Sequence, residues 1–295
     1  MESILDESFL RKLESIRAAA LKGGQGVASG IHRSYKAGSS QEFMDYRRYH
    51  PGDDIRYVDW TVFGRTDRLF IKLFHAEKEQ TLYILLDVSR SMGSGPGSKA
   101  EYAKKTAAAL SYMGLASQDQ VWVTSFSEDL DIARESEKGK HLYLSVQEYI
   151  SSLGSEGMTD FNGALERFAA SGNTPGTVVV ISDLLDPGGY KDGFRALLHS
   201  RHKPTLIQIL DPEEIRPRFK GHVSLEDVES GKIRHFLVNK IRLKRYEHRL
   251  KEFLLDIGQF CRQRGIDYHL ADTGIAFEDF FLGYLQSEHL TGKSG

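Results

Sequence analysis

From residue 81 onward, short and mostly apolar runs alternate with longer stretches in which apolar residues recur at helical spacing. The first of these runs, TLYILL, is continuous, as is typical of a strand that is covered on both faces. The predicted strands are TLYILL (81–86), QVWVTSF (120–126), TVVVIS (177–182), PTLIQIL (204–210) and IDYHLAD (266–272). Helical stretches separate them and are long enough for crossovers, so the strands are expected to be parallel. The pattern predicts an α/β fold with a doubly wound, mostly parallel sheet.

Two segments depart from this alternation. Residues 3–21 have the apolar spacing of an amphipathic helix, and residues 36–80 mix turns with short aromatic-rich strands. Glycines follow the fourth predicted strand, and their positions predict a hairpin near residues 212–237. We therefore predict two domains. Residues 1–79 form an N-terminal helix and a β-rich lobe, and residues 80–290 form the α/β domain with its hairpin insertion.

Composition and charge narrow the classes of function. With 39 basic against 41 acidic residues, the net charge of -2 gives no overall field that would attract nucleic acid or an anionic membrane. The single cysteine, Cys261, cannot form an internal disulfide. No apolar run approaches the roughly 20 residues that span a bilayer. We expect a cytoplasmic protein with no nucleic-acid partner and no integral membrane segment.

Polar side chains gather where the predicted strands end. Asp87, Ser89 and Ser91 follow the first strand, Thr159 precedes a helix in GMTD, and Asp183 follows TVVVIS. Ligands of open parallel sheets bind at the carboxyl ends of the strands. Carboxylate, hydroxyl and water oxygens suit Mg²⁺, with Mn²⁺ or Ca²⁺ as alternatives. The set predicts a divalent cation with an open position that a partner's carboxylate could fill.

The same residues resemble the metal-ion-dependent adhesion site of von Willebrand factor A domains. The order Asp-x-Ser-x-Ser, then Thr, then Asp is complete in DVSRS, GMTD and ISD. The resemblance implies that Ser89, Ser91 and Thr159 are hydroxyl ligands of the metal. It further implies that Asp87 and Asp183 bind the metal directly or through water, in a von Willebrand factor A-like fold.

A second resemblance covers roughly residues 20–285. EFMDYRRYHPGDDIRYVDW (42–60), the later DPEE (211–214) and the helix containing Tyr246 resemble the bacterial family named domain of unknown function 58. Many members look membrane-anchored through an N-terminal helix pair, which is not seen here. Members are typically encoded beside MoxR-type AAA+ ATPases and are thought to act with them as chaperone-like adaptors. The resemblance implies a non-enzymatic, metal-dependent adaptor that docks such an ATPase or its client through an acidic side chain.

Most enzymatic alternatives lack a required residue. A haloacid-dehalogenase-type phosphatase needs a second acid where Ser89 stands. GSGPGSKAE (93–101) departs from a P-loop at Ser98 and Ala100. A nucleophilic serine would need a nearby histidine, and HSRH (199–202) lacks the glutamate and the spacing of a zinc-binding helix.

Two alternatives stay open at this point. In the first, the metal activates water and the protein is a hydrolase of the phosphoesterase kind. In the second, the polar residues only cap helices and turns, and no metal binds. A missing dedicated base argues against the first alternative, and metal-dependent stability would distinguish the second from an adhesion site.

Overall fold

The structure is a computed structural model of the 295-residue chain. It describes residues 4–22, 43–51, 53–74, 81–93, 97–131, 139–218, 221–226 and 233–291. In chain order the helices and strands are α1 (Glu7–Lys22), β1 (Phe43–Arg48), α2 (Trp60–Thr66), β2 (Phe70–Phe74), β3 (Thr81–Asp87), α3 (Lys99–Ala116), β4 (Gln120–Phe126), β5 (Leu130–Asp131), α4 (Tyr143–Ser152), α5 (Phe161–Ala170), β6 (Thr177–Ser182), α6 (Lys191–His199), β7 (Lys203–Leu210), α7 (Pro212–Ile215), β8 (Gly221–Glu226), β9 (Ile233–Val238), α8 (Lys240–Arg264), β10 (Asp267–Asp272) and α9 (Phe277–Thr291).

A six-stranded sheet organises the chain from β3 onward. Its order is β10-β7-β6-β3-β4-β5, and every pair is parallel except the short edge pair of β4 with β5. After β5 the chain crosses to the other side of β3 to form β6. This reversal of direction defines a doubly wound sheet. The α/β class with a doubly wound, mostly parallel sheet that the sequence predicts is confirmed.

Helices cover both faces of this sheet, as the apolar strands require. Leu82, Ile84 and Leu86 of β3 point to one face, where α1, α3, α4 and α9 pack. Tyr83 and Leu85 point to the other face, beneath α5, α6 and α8. Alternate residues of one buried strand thus serve two separate cores.

The division of the chain differs from the one drawn from the sequence. Helix α1 belongs to the compact unit that holds the sheet, and the segment from Ile31 to Glu79 forms a second unit. The physical reason is the apolar stripe of α1: Phe9 is 2% exposed, and its ring lies 5.3 Å from Phe277 and 6.1 Å from Phe281. The sequence pattern identified this stripe but not the surface that covers it.

The smaller unit is built on an antiparallel pair, β1 with β2. Helix α2 connects the two strands along the chain, and the sequence did not predict it. Asp59 caps it by accepting hydrogen bonds from the amides of Thr61 and Val62, at 2.8 and 3.2 Å. Acids and arginines of the unit also pair locally, for example Arg47 with Asp53 at 2.9 Å. These ion pairs neutralise part of the positive charge of the segment.

Two other elements complete the larger unit. Strands β8 and β9 form the hairpin expected near residues 212–237. Helix α9 follows β10 and was not predicted. None of the described helices combines the length and the apolar composition that a bilayer-spanning helix needs.

Candidate metal centre

The candidate residues lie at the point where the order in which the chain adds strands to the sheet reverses. Strands β3 and β6 are neighbours, and the chain leaves them on opposite sides. Asp87 is the last residue of β3, and Asp183 directly follows Ser182 at the end of β6. Crevices of this kind, outside the carboxyl ends of parallel strands, are where ligands bind in doubly wound sheets.

Asp87 is fixed by hydrogen bonds at both carboxylate oxygens. Its Oδ1 accepts from the amide of Ser89 at 2.9 Å, and its Oδ2 accepts from the hydroxyl of Ser182 at 2.6 Å. The side chain is 1% exposed. Burial, with the charge of Asp183 as the second cause, raises the pKa of Asp87 to about 7. A cation placed here would relieve both causes.

The two serine hydroxyls meet in the loop after β3. The Oγ atoms of Ser89 and Ser91 lie 3.0 Å apart, and a single turn of 3₁₀ helix, Arg90–Met92, holds them. Ser89 is completely buried. The loop therefore presents a pair of hydroxyl oxygens next to the carboxylate of Asp87.

The loop that carries Thr159 is bonded to the serine loop through the backbone. The amide of Arg90 donates to the carbonyl of Gly157 at 3.1 Å, and the amide of Glu156 donates to the carbonyl of Val88 at 2.9 Å. Thr159 lies two residues after Gly157 and is half-buried. Asp160, rather than Thr159, is the N-cap of α5. Thr159 is therefore not the residue that caps this helix.

Asp183 is held from three directions. Its Oδ1 accepts from the amide of Leu185 at 3.0 Å, and its backbone carbonyl accepts from Nε2 of Gln208 at 2.9 Å. Tyr268 in turn donates to Gln208 at 2.7 Å. The remaining carboxylate oxygen, Oδ2, accepts from Nζ of Lys99 at 2.7 Å.

Lys99 is an internal cation of the site. It is the first residue of α3, is 6% exposed, and also donates to Oε1 of Glu214 at 2.5 Å. Burial alone would lower the pKa of Lys99, but the charges of Asp183 and Glu214 outweigh burial and raise it. The ammonium group is therefore charged and shared between two carboxylates.

The donor set fits a hard divalent cation. It offers two buried carboxylates and the hydroxyls of two adjacent serines, the oxygen ligands that Mg²⁺ and Mn²⁺ prefer. Among the described residues there is no group of three or more His, Cys, Asp or Glu side chains that could hold a metal. Hydroxyl and water ligands would have to complete the coordination.

A groove adjoins the site on the side of α7 and α8. It encloses about 790 Å³ and begins at Ser91 and Lys99. Tyr246 of α8 lines it and donates from its hydroxyl to the backbone carbonyl of Glu214 at 2.6 Å. Its remaining lining residues are Met92, Gly93, Ser98, Asp211, Glu213, Pro217, Val238, Arg242, Leu243 and Arg249.

Sequence reasoning missed three residues of this site: Ser182, Lys99 and Glu214. Ser182 directly precedes a predicted ligand but carried no signal of its own. Lys99 did carry one, because a cation in the first turn of a helix is electrostatically unfavourable and so indicates an acidic partner. Glu214 was noted only within the family-like DPEE, where it also completes a capping box with Asp211.

Comparison with known proteins identifies relatives of unknown function. The family model described as "Protein of unknown function DUF58" matches residues 45–252. The uncharacterized proteins Rv1480 of Mycobacterium tuberculosis (strain ATCC 25618 / H37Rv) and Mb1516 of Mycobacterium bovis (strain ATCC BAA-935 / AF2122/97) are each 26% identical over 239 residues, which cover 79% of this chain and 75% of theirs.

Solved structures with a similar arrangement are distant in sequence. An aerotolerance-related membrane protein from Bacteroides fragilis NCTC 9343 has a TM-score of 0.45 and 15% identity, covering 72% of this chain and 99% of its own. The conserved hypothetical protein BatB from Bacteroides thetaiotaomicron has a TM-score of 0.44 and 14% identity, with the same coverage. The fold assignment therefore depends on the strand order of this chain itself.

Proposed function

The chain belongs to the DUF58 family, and we propose that it is a non-enzymatic, metal-dependent protein-binding module. The observation that carries this proposal is the joint burial of Asp87 and Asp183 beside the paired hydroxyls of Ser89 and Ser91. Lys99 is bonded to Asp183 and can compensate only one of these two buried carboxylates, so a further cation would be favourable when both are ionised. Buried acids at the ligand-binding edge of a sheet are therefore more consistent with a binding site than with packing.

Each residue has a distinct part in the proposed site. Asp87 and Asp183 supply the negative charge, while Ser89, Ser91 and Thr159 supply neutral oxygens. When bound, Mg²⁺ or another divalent cation supplies an electrophilic position that accepts a carboxylate from a partner. Ser182 holds Asp87 in place, and Leu185 and Gln208 hold Asp183, so the donors are oriented before any ligand arrives.

A binding role is favoured over the hydrolase alternative by the position of Asp87. With a pKa of about 7, Asp87 could accept a proton near neutrality. Both of its oxygens, however, already accept hydrogen bonds, and the side chain is 1% exposed. A general base must reach the proton that it removes. Asp87 is too enclosed to act on the water that attacks a bulky phosphoester.

The partner in this proposal is a protein with an exposed acidic side chain. The family resemblance favours a MoxR-type AAA+ ATPase or one of its clients, in the cytoplasm, with the chain as a chaperone-like adaptor. The groove beside Ser91 and Lys99 offers room for the residues that flank such an acid. Affinity would then come from one metal-bound carboxylate together with contacts in the groove.

A capture experiment tests this function. Wild type, Asp87→Ala and Asp192→Ala are immobilised and exposed to lysate of cells that naturally express the chain, with Mg²⁺ or with a chelator. Asp192 is an exposed acid of α6 paired with Arg195, so its variant is the matched control. We expect an AAA+ ATPase to be retained by wild type and by Asp192→Ala in Mg²⁺. Neither chelated wild type nor Asp87→Ala should retain it.

Two outcomes would contradict the proposal. Retention of the same proteins by all samples, with or without metal, would place docking elsewhere on the chain. Metal-dependent turnover on a panel of phosphoesters that disappears in Asp87→Ala would instead establish the hydrolase alternative.

A further inference from the structure

Lys99 occupies a position that the proposed binding function does not use. Its ammonium group is buried at the start of α3 and bonded to two acids, Asp183 at 2.7 Å and Glu214 at 2.5 Å. A lysine at the first position of a helix lies against the positive end of the helix dipole. Its side chain must therefore be stabilised mainly by these two carboxylates.

We infer that Lys99 is an intramolecular competitor of the divalent cation: its ammonium holds Asp183 until a cation takes that carboxylate, and Glu214 then retains the displaced ammonium. This inference rests on the proposed function of the site. It adds a regulatory contact, because a cation can gain Asp183 fully only when Lys99 gives it up.

The competition follows from charge. Asp87 and Asp183 together carry two negative charges when ionised, and Lys99 already compensates one of them. A divalent cation beside Lys99 would place two cations around the same carboxylate, which is unfavourable in a buried site. Release of Lys99 from Asp183 removes that repulsion.

Glu214 makes the exchange feasible. It bonds Lys99 through Oε1, while its Oε2 accepts from the amide of Asp211 at 2.8 Å as part of the capping box of α7. The acid is thus held in place from its own helix. A displaced ammonium would keep one charged partner and would not be left buried alone.

The same contact links the cation site to the groove. Lys99 and Glu214 both line the groove, and Tyr246 bonds the backbone carbonyl of Glu214. Movement of Lys99 from Asp183 toward Glu214 would change the charge and shape of the groove wall. Cation loading and partner docking would then favour each other, as linkage requires.

Calorimetric titration with Mn²⁺ tests the inference directly. Lys99→Met keeps the length of the side chain and removes its charge, so the variant should bind Mn²⁺ about tenfold or more tightly than wild type. Lys105→Met is the matched control. Lys105 lies on the same helix and pairs with Glu101 at 2.6 Å, and its variant should bind Mn²⁺ as wild type does.

Glu214→Gln provides a second test that does not depend on the folding of Lys99→Met. This variant retains the ion pair of Lys99 with Asp183 but leaves a displaced ammonium without a charged partner. We expect Mn²⁺ to bind about tenfold more weakly than to wild type. In the double variant, Lys99→Met with Glu214→Gln, the affinity should return to that of Lys99→Met because Glu214 acts through Lys99.

The outcomes separate this inference from the proposed function. Equal Mn²⁺ affinity in wild type, Lys99→Met and Glu214→Gln would overturn the competition and leave the metal site standing. Weaker binding in Lys99→Met would likewise overturn it, since Lys99 would then support the metal. An absence of Mn²⁺ binding in every variant would overturn both. Tighter binding in Lys99→Met, combined with metal-independent capture of the partner, would sustain the competition and reject the proposed function.

Discussion

At the residue scale, the site is a cluster of buried charges that compensate one another. Asp87 and Asp183 are each 1% exposed, and Lys99 is 6% exposed. Removing one member of a buried ion pair typically costs about 3–5 kcal/mol, because the other charge is left without a partner. Burying three ionisable groups at this edge of the sheet is therefore costly in free energy, and packing alone does not explain their presence.

His202 is a buried ionisable residue outside this cluster, and it makes the stability of the fold depend on pH. The ring is 3% exposed, lies 5.6 Å from Tyr83 and 5.4 Å from Phe168, and accepts from the amide of Gly176 at 3.3 Å. Burial lowers the pKa of His202 below its ordinary value of 6.5. As pH falls through 6.5, the unfolded chain takes up this proton first, so stability is lost.

We expect His202→Phe to lose less stability than wild type between pH 7 and pH 5, as measured by urea unfolding. The exposed His199 supplies the control, and His199→Gln should follow the wild-type pH dependence. An identical pH dependence in wild type and His202→Phe would show that the His202 ring has the same pKa in the folded and the unfolded chain.

The sequence indicated the candidate residues of the site at this scale but not their neighbours. DVSRS, GMTD and ISD are contiguous motifs, so Asp87, Ser89 and Asp183 could be identified without a structure. Lys99 and Glu214 are 115 residues apart, and their pairing depends on the place of α7 at the sheet edge. No local pattern contains that information.

At the element scale, the contact of α5 with α6 positions the loop that carries Thr159. Gly193 of α6 lies against α5: a Cβ there would come within 2.9 Å of Cβ of Leu165 and 3.2 Å of Cα of Asn162. The amide of Gly193 also donates to the side chain of Asn162 at 2.9 Å. The helices approach this closely only because residue 193 has no side chain.

We expect Gly193→Ala to destabilise the protein by about 1–3 kcal/mol, because the extra methyl group overpacks the contact. Gly283 of α9 is the matched control, since a Cβ there meets nothing within 4 Å. Gly283→Ala should leave stability unchanged or raise it by up to about 1 kcal/mol through helix propensity. Urea unfolding of both variants checks this pair. A Gly193→Ala variant as stable as Gly283→Ala would contradict the close contact.

Elements with strong periodicity could be predicted, and elements defined by their surroundings could not. Strands β3, β4, β6 and β7, the half-exposed edge strand β10 and the helices between them follow directly from apolar patterns. Helix α2 is seven residues long and β5 has two residues, so each contains fewer than two full periods of its pattern, too few to identify it from the sequence. Helix α9 buries Phe281 and Tyr284 against the sheet unit, but the sequence analysis stopped at the preceding strand.

At the scale of the whole molecule, the winding of the chain creates the site. Asp87 and Asp183 are 96 positions apart in the sequence, and they meet because the chain returns to the other side of β3 after forming β4 and β5. The alternation of strands and helices predicted this doubly wound sheet, and hence the edge at which a ligand would bind. It did not predict which unit contains α1, because an amphipathic stripe does not specify what covers it.

The central claim is that these residues hold a divalent cation and do not merely cap loops. Thermal unfolding of wild type and Asp87→Ala, each with increasing Mg²⁺ or with a chelator, tests it most directly. Asp87→Ala leaves Lys99 bonded to both of its acids, so it should fold. We expect Mg²⁺ to stabilise wild type, by about 1.4 kcal/mol for each tenfold rise above its dissociation constant, and to leave Asp87→Ala unchanged. No shift in wild type, or an equal shift in both proteins, would contradict the claim.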